Sequence, residues 1–469
     1  MNEIKLWEHQ RRAIELSRDR TSLALLMEAG TGKTCTVIQI IREKCQAERR
    51  LLRSLILCPQ VVIGNWVNEL KKFSQITQIT PLVGPGSKRV SDFMANNSAG
   101  HIFVTNYEAL ENENLYQLFV DWAPELMVAD ESHRIKNPSG VRTKKAVGLA
   151  QMAKYRYILT GTPVLQSAQD LFSQVQFLDG GKMFGKNFFV FRGRYFYNKN
   201  AGAPSHVTWP DWQIRPGALD EISKLIDGIS VKARKSECMD LPPMLYKTVE
   251  VDLGKKQSKH YEDMKKEFIT FLGDKACTAQ LAVTKALRLQ QIASGFIRLE
   301  SGQEVVLDDN PRLSALKDLL IDLVVEGKNK VIIWAVYRAN YAQIRDVLDA
   351  LKISYRELHG EINPRARDQA ISDFANDAGV KVMLGNPGAG GIGVNLVAAS
   401  YAIYYSRDFS LEHDIQSEAR NYRGGSEVHD KITRIDIIAR GTIDYEIAAA
   451  LSRKQAISDQ VLRNIATRL

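Results

Sequence analysis

Short apolar runs alternate with helical patterns at both ends of this 469-residue chain. Four runs lie in the first 130 residues and four lie after residue 330, namely 23–26, 54–57, 101–104 and 126–129, then 331–335, 380–384, 401–405 and 432–438. Apolar runs of this length, separated by helices, are typical of strands in a parallel sheet that is covered on both faces. We therefore predict an α/β fold with two tandem parallel-sheet lobes.

The alternation is interrupted in the middle of the chain. It stops near Leu178, and Gly180-Gly181 opens a stretch rich in aromatic and basic residues, which we interpret as a mainly helical insertion. The break at Leu241-Pro242-Pro243 is the candidate linker, because a residue before proline disfavours helix. The predicted domains are a first lobe (1–178), an inserted subdomain (179–227), the end of the first lobe with the linker (228–245), a helical insertion (246–310) and a second lobe (311–469).

Composition restricts the class of protein. A 45% hydrophobic content with 25% charged residues fits a globular protein, and the net charge of +9 favours a polyanionic partner such as nucleic acid. The five cysteines form no C-x-x-C pair, so neither a zinc ribbon nor a disulfide framework is supported. No apolar run is long enough to cross a membrane and no signal peptide begins the chain, so we expect a cytoplasmic protein, or a nuclear one in a eukaryote.

A phosphate-binding loop is indicated between the first apolar run and a helical stretch from residue 35. The candidate ATP-binding residues there are Glu28, Ala29, Gly30, Thr31, Gly32, Lys33 and Thr34. Glycines let backbone N–H groups approach phosphates at a helix N-terminus, Lys33 neutralises charge, and the Thr34 hydroxyl is a magnesium ligand. Met27 stands where the full motif has glycine. A chance glycine-rich turn is the alternative interpretation.

An acidic pair ends the fourth apolar run. Asp130 and Glu131 follow Lys33 by about 100 residues. Asp130 is a candidate magnesium ligand, and Glu131 is a candidate to orient or deprotonate the attacking water, because phosphoryl transfer depends on positioning and charge stabilisation. The alternative is a solvated strand end. With the phosphate loop upstream, we predict that Lys33, Asp130 and Glu131 are catalytic.

Further motifs resemble those of superfamily-two helicases, and in particular Swi/Snf-type translocases. They lie in the family's order from residue 6 to about residue 447, at 6–10, 57–60, 105–108, 130–133, 160–163, 287–292, 359–360, 390–396 and 416–423. The resemblance implies two RecA-like lobes that clasp ATP and Mg²⁺. It places Gln10 at the adenine, Gly393 in the ATP site, and Arg420 and Arg423 as catalytic groups from the second lobe.

The resemblance also suggests residues that couple hydrolysis to movement. It suggests others that contact the track, which is the nucleic acid along which the enzyme moves. The coupling candidates are His133, Thr160, Thr162 and Gln416; the DNA-binding candidates are Gln60, Thr105, Asn106, His359, Gly391 and Asn395. Any of the track candidates can instead be a turn residue. Their spacing of three predicts that Arg420 and Arg423 share a helical face, for which a solvated charged face is the alternative.

Two regions leave alternatives open. The aromatic and basic stretch 184–199 either forms the core of the insertion or grips nucleic acid, and in this family insertions at this location brace the duplex. Ser426 stands where the sixth motif usually has glutamine, Gln166 where the third usually has asparagine, and residues 408–411 read Asp-Phe-Ser-Leu where Trp-Asn-Pro is common. These departures indicate a compact, bacterial or viral member and remove no catalytic group.

The leading hypothesis is a DNA-stimulated ATPase that moves along double-stranded DNA as a monomer, with no membrane association. A strand-separating DNA or RNA helicase is the second hypothesis. A nucleic-acid-binding scaffold with an inactive ATP site is the third, and the retained candidate catalytic residues argue against it.

Overall fold

Two units divide the chain, and each contains one parallel sheet. The structure is a computed structural model that describes residues 6–74, 76–202, 210–273, 279–299, 301–388 and 394–464. The first unit comprises the chain up to Asn198, Trp212–Met239 and the stretch from Lys454; the second comprises Lys199–Asp211 and Asp240–Arg453. Within the described ranges, no helix is both long enough and apolar enough to cross a lipid bilayer.

The first unit is built around one sheet with helices between its strands. Its strands are β1 (Ser22–Met27), β2 (Ser54–Cys58), β3 (Ile79–Pro81), β4 (Ile102–Asn106), β5 (Leu126–Asp130), β6 (Tyr155–Leu159), β7 (Phe196–Asn198), β8 (Trp212–Ile214) and β9 (Ser230–Ala233). Its helices are α1 (Glu8–Arg18), α2 (Lys33–Ala47), α3 (Ile63–Ser74), α4 (Gly86–Asn96), α5 (Glu113–Trp122), α6 (Val141–Met152), α7 (Leu171–Asp179), α8 (Phe188–Tyr195), α9 (Ala218–Asp227) and α10 (Lys235–Cys238).

All seven strands of the large sheet run parallel, in the order β3-β4-β2-β5-β6-β1-β9. The register sets Asp130 of β5 opposite Leu159 of β6, and Leu159 opposite Leu25 of β1. Parallel strands share the edge at which they end, so the segments that follow β1, β5 and β6 leave the sheet side by side. This edge carries the phosphate loop, the acidic pair and the motif at 160–163.

The insertion packs its aromatic residues into the core of the first unit. Phe184, Phe191, Tyr195 and Phe196 are buried in the same cluster as the side chains that cover the sheet. The guanidinium of Arg192 lies 4.0 Å from the ring centroid of Trp212 in the β7–β8 hairpin. Most aromatic side chains of this stretch therefore belong to the hydrophobic core of the first unit. Phe189 and Tyr197 are the exceptions among the described aromatics, 70% and 42% exposed, and the neighbouring Val190 is 67% exposed.

The second unit has its own parallel sheet. Its strands are β10 (Met244–Val251), β11 (Phe296–Arg298), β12 (Glu304–Val306), β13 (Val331–Trp334), β14 (Tyr355–Leu358), β15 (Val382–Gly385), β16 (Tyr401–Tyr404) and β17 (Ile432–Ala439). Its helices are α11 (Lys255–Gly273), α12 (Ala279–Ala293), α13 (Pro311–Leu320), α14 (Arg338–Ala350), α15 (Pro364–Asn376), α16 (Leu411–Glu418) and α17 (Ile443–Asn464), the last of which continues into the first unit.

The second sheet has the order β10-β17-β16-β13-β15-β14, again with every neighbouring pair parallel. Separate clusters of buried apolar side chains cover its two faces. The α11–α12 hairpin has a small core of its own. The predicted α/β class with two parallel-sheet lobes is thus confirmed. The edge strand β10 lies mostly in the range predicted as a helical insertion.

A buried charge cluster joins α16 to β17 in the second unit. Arg434 is 3% exposed and pairs with Asp414 at 2.7 Å, Glu418 at 3.1 Å and Asp436 at 3.2 Å. Its guanidinium also lies 3.9 Å from the ring centroid of Tyr404. A buried cation with this many partners is held in one geometry, which fixes the short helix α16 on the sheet.

We expect Arg434→Leu to destabilise the second unit by about 3–5 kcal/mol, because three buried carboxylates then share one arginine fewer. Arg407, 2.8 Å from Asp414 and 3.4 Å from Asp436, stays beside two of them. Arg440→Leu is the matched control: that side chain is 55% exposed and pairs with Glu250 and Asp252 at the surface, so its loss costs about 1 kcal/mol or less. For both variants, urea denaturation gives the free energy of unfolding, and hydrogen exchange shows whether β16 and β17 have become less protected. Equal losses in the two variants would contradict the importance of the cluster.

Candidate nucleotide site

The phosphate loop connects β1 to α2 at the carboxyl edge of the first sheet. Gly30 and Gly32 have φ of 92° and 82°, in the left-handed region where glycine carries no steric cost. Met27 is fully buried as the last residue of β1, so the position that usually holds glycine is strand here and accepts a side chain. The N-terminus of the 15-residue helix α2 opens onto the loop. This is the strand, loop and helix context that phosphate binding requires.

Lys33 is held by the loop itself. Its Nζ donates to the carbonyl oxygens of Met27 at 2.8 Å and Glu28 at 3.3 Å. Thr31 closes the same turn, because its hydroxyl donates to the Glu28 carbonyl at 2.8 Å. Ala29 and Thr34 are half-buried beside these groups. The ammonium is therefore pre-positioned inside the loop, with neutral partners that a phosphate can replace.

Helix α1 braces the loop from outside. Gln10 donates from Nε2 to the Gly32 carbonyl at 3.3 Å and accepts from the Trp7 N–H at 2.9 Å. A Cβ on Gly32 would lie 2.2 Å from Gln10 Nε2, so the contact requires glycine. The ring Nε2 of His9 lies 2.8 Å from the Thr31 carbonyl oxygen. His9 is a site residue that sequence reasoning did not single out, although it belongs to the motif at 6–10.

Asp130 is a buried carboxylate at the end of β5. Its Oδ2 accepts a hydrogen bond from the indole of Trp66 at 2.9 Å, and its Oδ1 accepts one from the Glu131 N–H at 3.0 Å. The hydroxyl of Tyr107 donates to its carbonyl at 2.6 Å. Burial, with the neighbouring charge of Glu131, raises the pKa of Asp130 to about 6, while Trp66 and Lys33 oppose the rise. A cation at this carboxylate would relieve the cost of its charge.

Glu131 adopts a strained backbone next to this aspartate. Its φ of 51° and ψ of 55° lie in the left-handed region, which is uncommon for a residue other than glycine, asparagine or aspartate. One carboxylate oxygen lies 3.5 Å from Nδ1 of the buried His133. Backbone strain of this kind is concentrated at functional sites in proteins.

The turn at 160–163 follows β6 and touches the phosphate loop. The N–H of Thr160 donates to the Leu25 carbonyl at 3.1 Å, and its hydroxyl accepts from the Thr162 N–H at 3.1 Å. A Cβ on Gly161 would lie 3.2 Å from the Cα of Glu28, so the two backbones pass in close contact. Asp170 stabilises the exit from this turn by accepting from two backbone N–H groups through one oxygen.

Gln174 joins the acidic turn to the turn at 160–163. It is fully buried on α7, and its Oε1 accepts from the hydroxyl of Ser132 at 2.7 Å. Its Nε2 donates to the carbonyls of Pro163 at 2.7 Å and Asp170 at 2.8 Å. All these bonds are short, and a buried amide with its partners satisfied is costly to disturb. The sequence offers no sign of this role, because nothing in its local pattern separates Gln174 from its neighbours on the helix.

The residues present fit ATP with a divalent cation. Two left-handed glycines, a helix N-terminus and a lysine make the phosphate cradle, and Thr34 is the second residue of the helix that follows it. Among the described residues, no group of three or more His, Cys, Asp or Glu side chains forms a metal cage. A cation held by Thr34, Asp130 and the nucleotide's own oxygens is the arrangement that suits magnesium.

Arg420 and Arg423 lie in the second unit, in a turn after α16. The helix ends at Glu418, and Arg420 is 5% exposed with its carbonyl accepting from the Leu396 N–H at 3.0 Å. The prediction that the two arginines share a helical face is therefore wrong: the chain leaves the helix before the first of them and turns toward Gly425, whose φ is 102°. Gln416, on the helix, donates to Glu412 at 3.3 Å.

The track candidates of the first unit differ in accessibility. Gln60 is exposed just after β2. Asn106 is buried and donates to Glu108 at 2.8 Å, while Arg89 donates to its oxygen at 2.7 Å. The hydroxyl of Thr105 is buried and donates to the Leu82 carbonyl at 3.1 Å, so this side chain points into the unit and not to its surface.

The track candidates of the second unit are His359, Gly391 and Asn395. His359 has both ring nitrogens occupied, at 3.1 Å from Arg338 and 3.1 Å from Glu357. Asn395 is exposed. Gly391 and Gly393 lie outside the described residues.

We compare the free energy of unfolding of the nucleotide-free wild type with that of Asp130→Asn. Between pH 5 and pH 8, we expect the wild type to lose about 1 kcal/mol relative to the variant. The folded-state pKa of Asp130, about 6, lies above its ordinary value, so its ionised form destabilises the fold, and this penalty grows as pH rises through 6. Urea denaturation at the two pH values measures the difference. Asp121→Asn, at an exposed site, is the control and should show no such trend; a flat difference for Asp130→Asn would refute the buried charge.

Two family models match consecutive parts of the chain. Residues 9–298 match the SNF2-related domain, and residues 312–425 match the helicase conserved C-terminal domain. A solved structure described as "Sulfolobus solfataricus SWI2/SNF2 ATPase core in complex with dsDNA" is 22% identical, with a TM-score of 0.45, and covers 98% of this chain and 93% of that one.

Some of the proteins with similar sequences are much longer than this chain, and one has about the same length. "Chromodomain-helicase-DNA-binding protein 1-like" of Danio rerio is 25% identical over 93% of this chain, and "TATA-binding protein-associated factor mot1" of Aspergillus fumigatus is 26% identical over 90%. The chain spans only 41% and 24% of these two proteins. Protein p41 of Acyrthosiphon pisum secondary endosymbiont phage 1 is 25% identical, with 92% of each chain covered. The SNF2-related domain covers more than half of the chain, so the protein belongs to the SNF2-related family and is an ATP-hydrolysing enzyme of helicase superfamily two.

Proposed function

We propose that this enzyme is a motor that moves along double-stranded DNA and couples ATP hydrolysis to closure of its two lobes, thereby remodelling DNA or protein–DNA complexes. One observation carries the proposal. The phosphate loop, the acidic pair and the turn at 160–163 lie side by side at one sheet edge. Gln174 joins the acidic turn to the turn at 160–163 by hydrogen bonds, and Gly161 of that turn packs against the backbone of Glu28 in the loop, so a displacement at the nucleotide can reach all three segments.

The first unit supplies the groups for hydrolysis. Lys33 and the loop N–H groups hold the phosphates, while Thr34 and Asp130 hold magnesium. Bound magnesium neutralises charge on the phosphate oxygens. Glu131 orients the attacking water and accepts its proton, because its carboxylate leaves the strand beside Asp130 on a constrained backbone.

The second unit supplies the arginines. Arg420 and Arg423 stabilise the negative charge of the transition state when the lobes close, and a guanidinium suits this role because it stays charged and presents several donors. His133, Thr160, Thr162 and Gln416 couple that event to movement. The buried Arg434 cluster holds α16 and hence the start of the arginine turn.

A duplex DNA track is supported by charge and by relatives. The chain carries a net charge of +9, which favours phosphate through release of counterions. One relative is named as a DNA-binding helicase-type protein and another as a factor associated with a TATA-binding protein. We propose that the exposed side chains of Gln60 and Asn395 face the track, with Gly391 a further candidate outside the described residues. Thr105, Asn106 and His359, whose polar groups bond within their own units, support the loops there from inside.

The decisive experiment compares ATP hydrolysis with duplex DNA, single-stranded DNA and RNA, and pairs it with triplex displacement and strand-unwinding assays. We expect stimulation by duplex and displacement of a triplex strand without unwinding. Lys33→Ala and Glu131→Gln should each lower turnover by about 100-fold or more while DNA binding persists. Lys154→Ala, a surface lysine of the same unit, is the control.

Each alternative has its own outcome in these assays. Strong unwinding without triplex displacement would establish a helicase in place of a translocase. Unchanged hydrolysis in both Lys33→Ala and Glu131→Gln, or no hydrolysis by the wild type under any condition, would overturn the mechanism and favour a scaffold.

Gln174→Leu should lower kcat by about tenfold or more and leave KM for ATP nearly unchanged, because the phosphate loop is intact while the acidic turn loses its fixed position. Gln176→Leu is the matched control on the same helix, where the side chain makes one long contact with the Lys186 carbonyl. ATPase kinetics and a thermal melt measure both variants. If Gln174→Leu and Gln176→Leu lost kcat and thermal stability to the same extent, Gln174 would serve only in packing.

A further inference from the structure

Glu28 is the residue at which the phosphate loop meets another segment of the first unit. Its N–H donates to the Ala233 carbonyl at 3.0 Å, and its carboxylate Oε2 accepts from the N–H of Lys235 at 3.0 Å. On the other side, its carbonyl accepts from the Lys33 ammonium at 3.3 Å and from the Thr31 hydroxyl at 2.8 Å. One residue thus joins the phosphate-binding lysine to the segment at 233–235.

That segment is the one by which the chain leaves the first unit. Ala233 ends β9, the edge strand that pairs with β1 so that Ala233 stands opposite Met27. The short helix α10 follows, from Lys235 to Cys238, and the second unit begins at Asp240. The connection to the rest of the enzyme therefore starts within a few residues of the Glu28 carboxylate.

Glu28 is also confined by its neighbours. Its Cα lies 3.2 Å from where a Cβ on Gly161 would be, and its half-buried side chain points to the N-terminal turn of α10. A residue packed this closely cannot shift by itself. Any displacement of its backbone is passed to the groups bonded to it.

We propose that Glu28 transmits the state of the phosphate loop to the connecting segment between the two units, through the hydrogen bond that it accepts from the Lys235 N–H. The inference rests on the proposed function, since it assigns a route by which hydrolysis reaches the second lobe. A phosphate that engages the Lys33 ammonium competes with the carbonyls of Met27 and Glu28 for it. The backbone of Glu28 then shifts, and the hydrogen bond that its carboxylate accepts from the Lys235 N–H lengthens or shortens. Glu28 thus acts as a positioning residue that couples the phosphate loop to the connecting segment.

The backbone donor can be removed without touching the phosphate loop. Lys235 is the first residue of α10, a position that accepts proline, and the preceding Arg234 is extended with φ −98° and ψ 149°, as a residue before proline should be. Lys235→Pro therefore deletes the N–H while the local backbone is retained. Lys235→Ala deletes the same side chain but keeps the N–H, which makes it the matched control.

The first readout is hydrogen exchange of residues 234–239 in the full-length protein with and without a non-hydrolysable ATP analogue. We expect the analogue to slow exchange in this segment by about fivefold or more in the wild type and in Lys235→Ala, and to have no effect on it in Lys235→Pro. An unchanged exchange rate in the wild type with analogue bound would overturn the proposal, as would persistence of the effect in Lys235→Pro.

The second readout is the ratio of ATPase rates with and without duplex DNA. Lys235→Pro should lose about fivefold or more of that ratio relative to Lys235→Ala, with KM for ATP unchanged within about twofold. Equal ratios in the two variants, or an equal fall of basal and stimulated rates in Lys235→Pro, would overturn the proposal. If no nucleic acid stimulates even the wild type, the proposed motor function fails, and hydrogen exchange still decides whether the Glu28 link operates.

Discussion

Parallel pairing of every strand in the first sheet is the constraint on which the nucleotide site depends. It makes β1, β5 and β6 end at one edge, with Asp130, Leu159 and Leu25 in register. Three loops distant in sequence are thereby brought side by side. A shift of one residue in this register would displace the acidic pair from the phosphate loop and move every side chain of the strand to the opposite face of the sheet, into a core packed for a different side chain.

The site concentrates unfavourable features that the surrounding core keeps in place. Asp130 is a carboxylate with its pKa raised by burial, and Glu131 has a left-handed backbone. Each costs stability, and each is held by rigid partners: the indole of Trp66 and the hydroxyl of Tyr107 for the first, the turn fixed through Ser132 for the second. Such strain is tolerated because the apolar sheet beneath is buried and close-packed.

Sequence patterns predicted what depends on continuous apolar runs or on glycine, and missed what depends on contacts between distant residues. The strands at 23–26 and 126–129 were predicted because buried parallel strands are uniformly apolar, whereas β14, with Arg356 and Glu357, looks like a polar surface segment. Arg420 and Arg423 were assigned to a helix by spacing alone, yet the chain turns before them. Gln174 was missed because its partners are 11 and 42 residues away.

Trp66 gives the buried carboxylate of Asp130 an optical reporter. An indole that donates a hydrogen bond senses the charge on its acceptor, and the charge on this acceptor falls whenever a cation or proton joins it. The chain has six tryptophans, but this indole bonds directly to the proposed magnesium ligand. In a variant whose other five tryptophans are replaced by phenylalanine, the emission of this ring would report metal and nucleotide arrival at the proposed site without an attached dye.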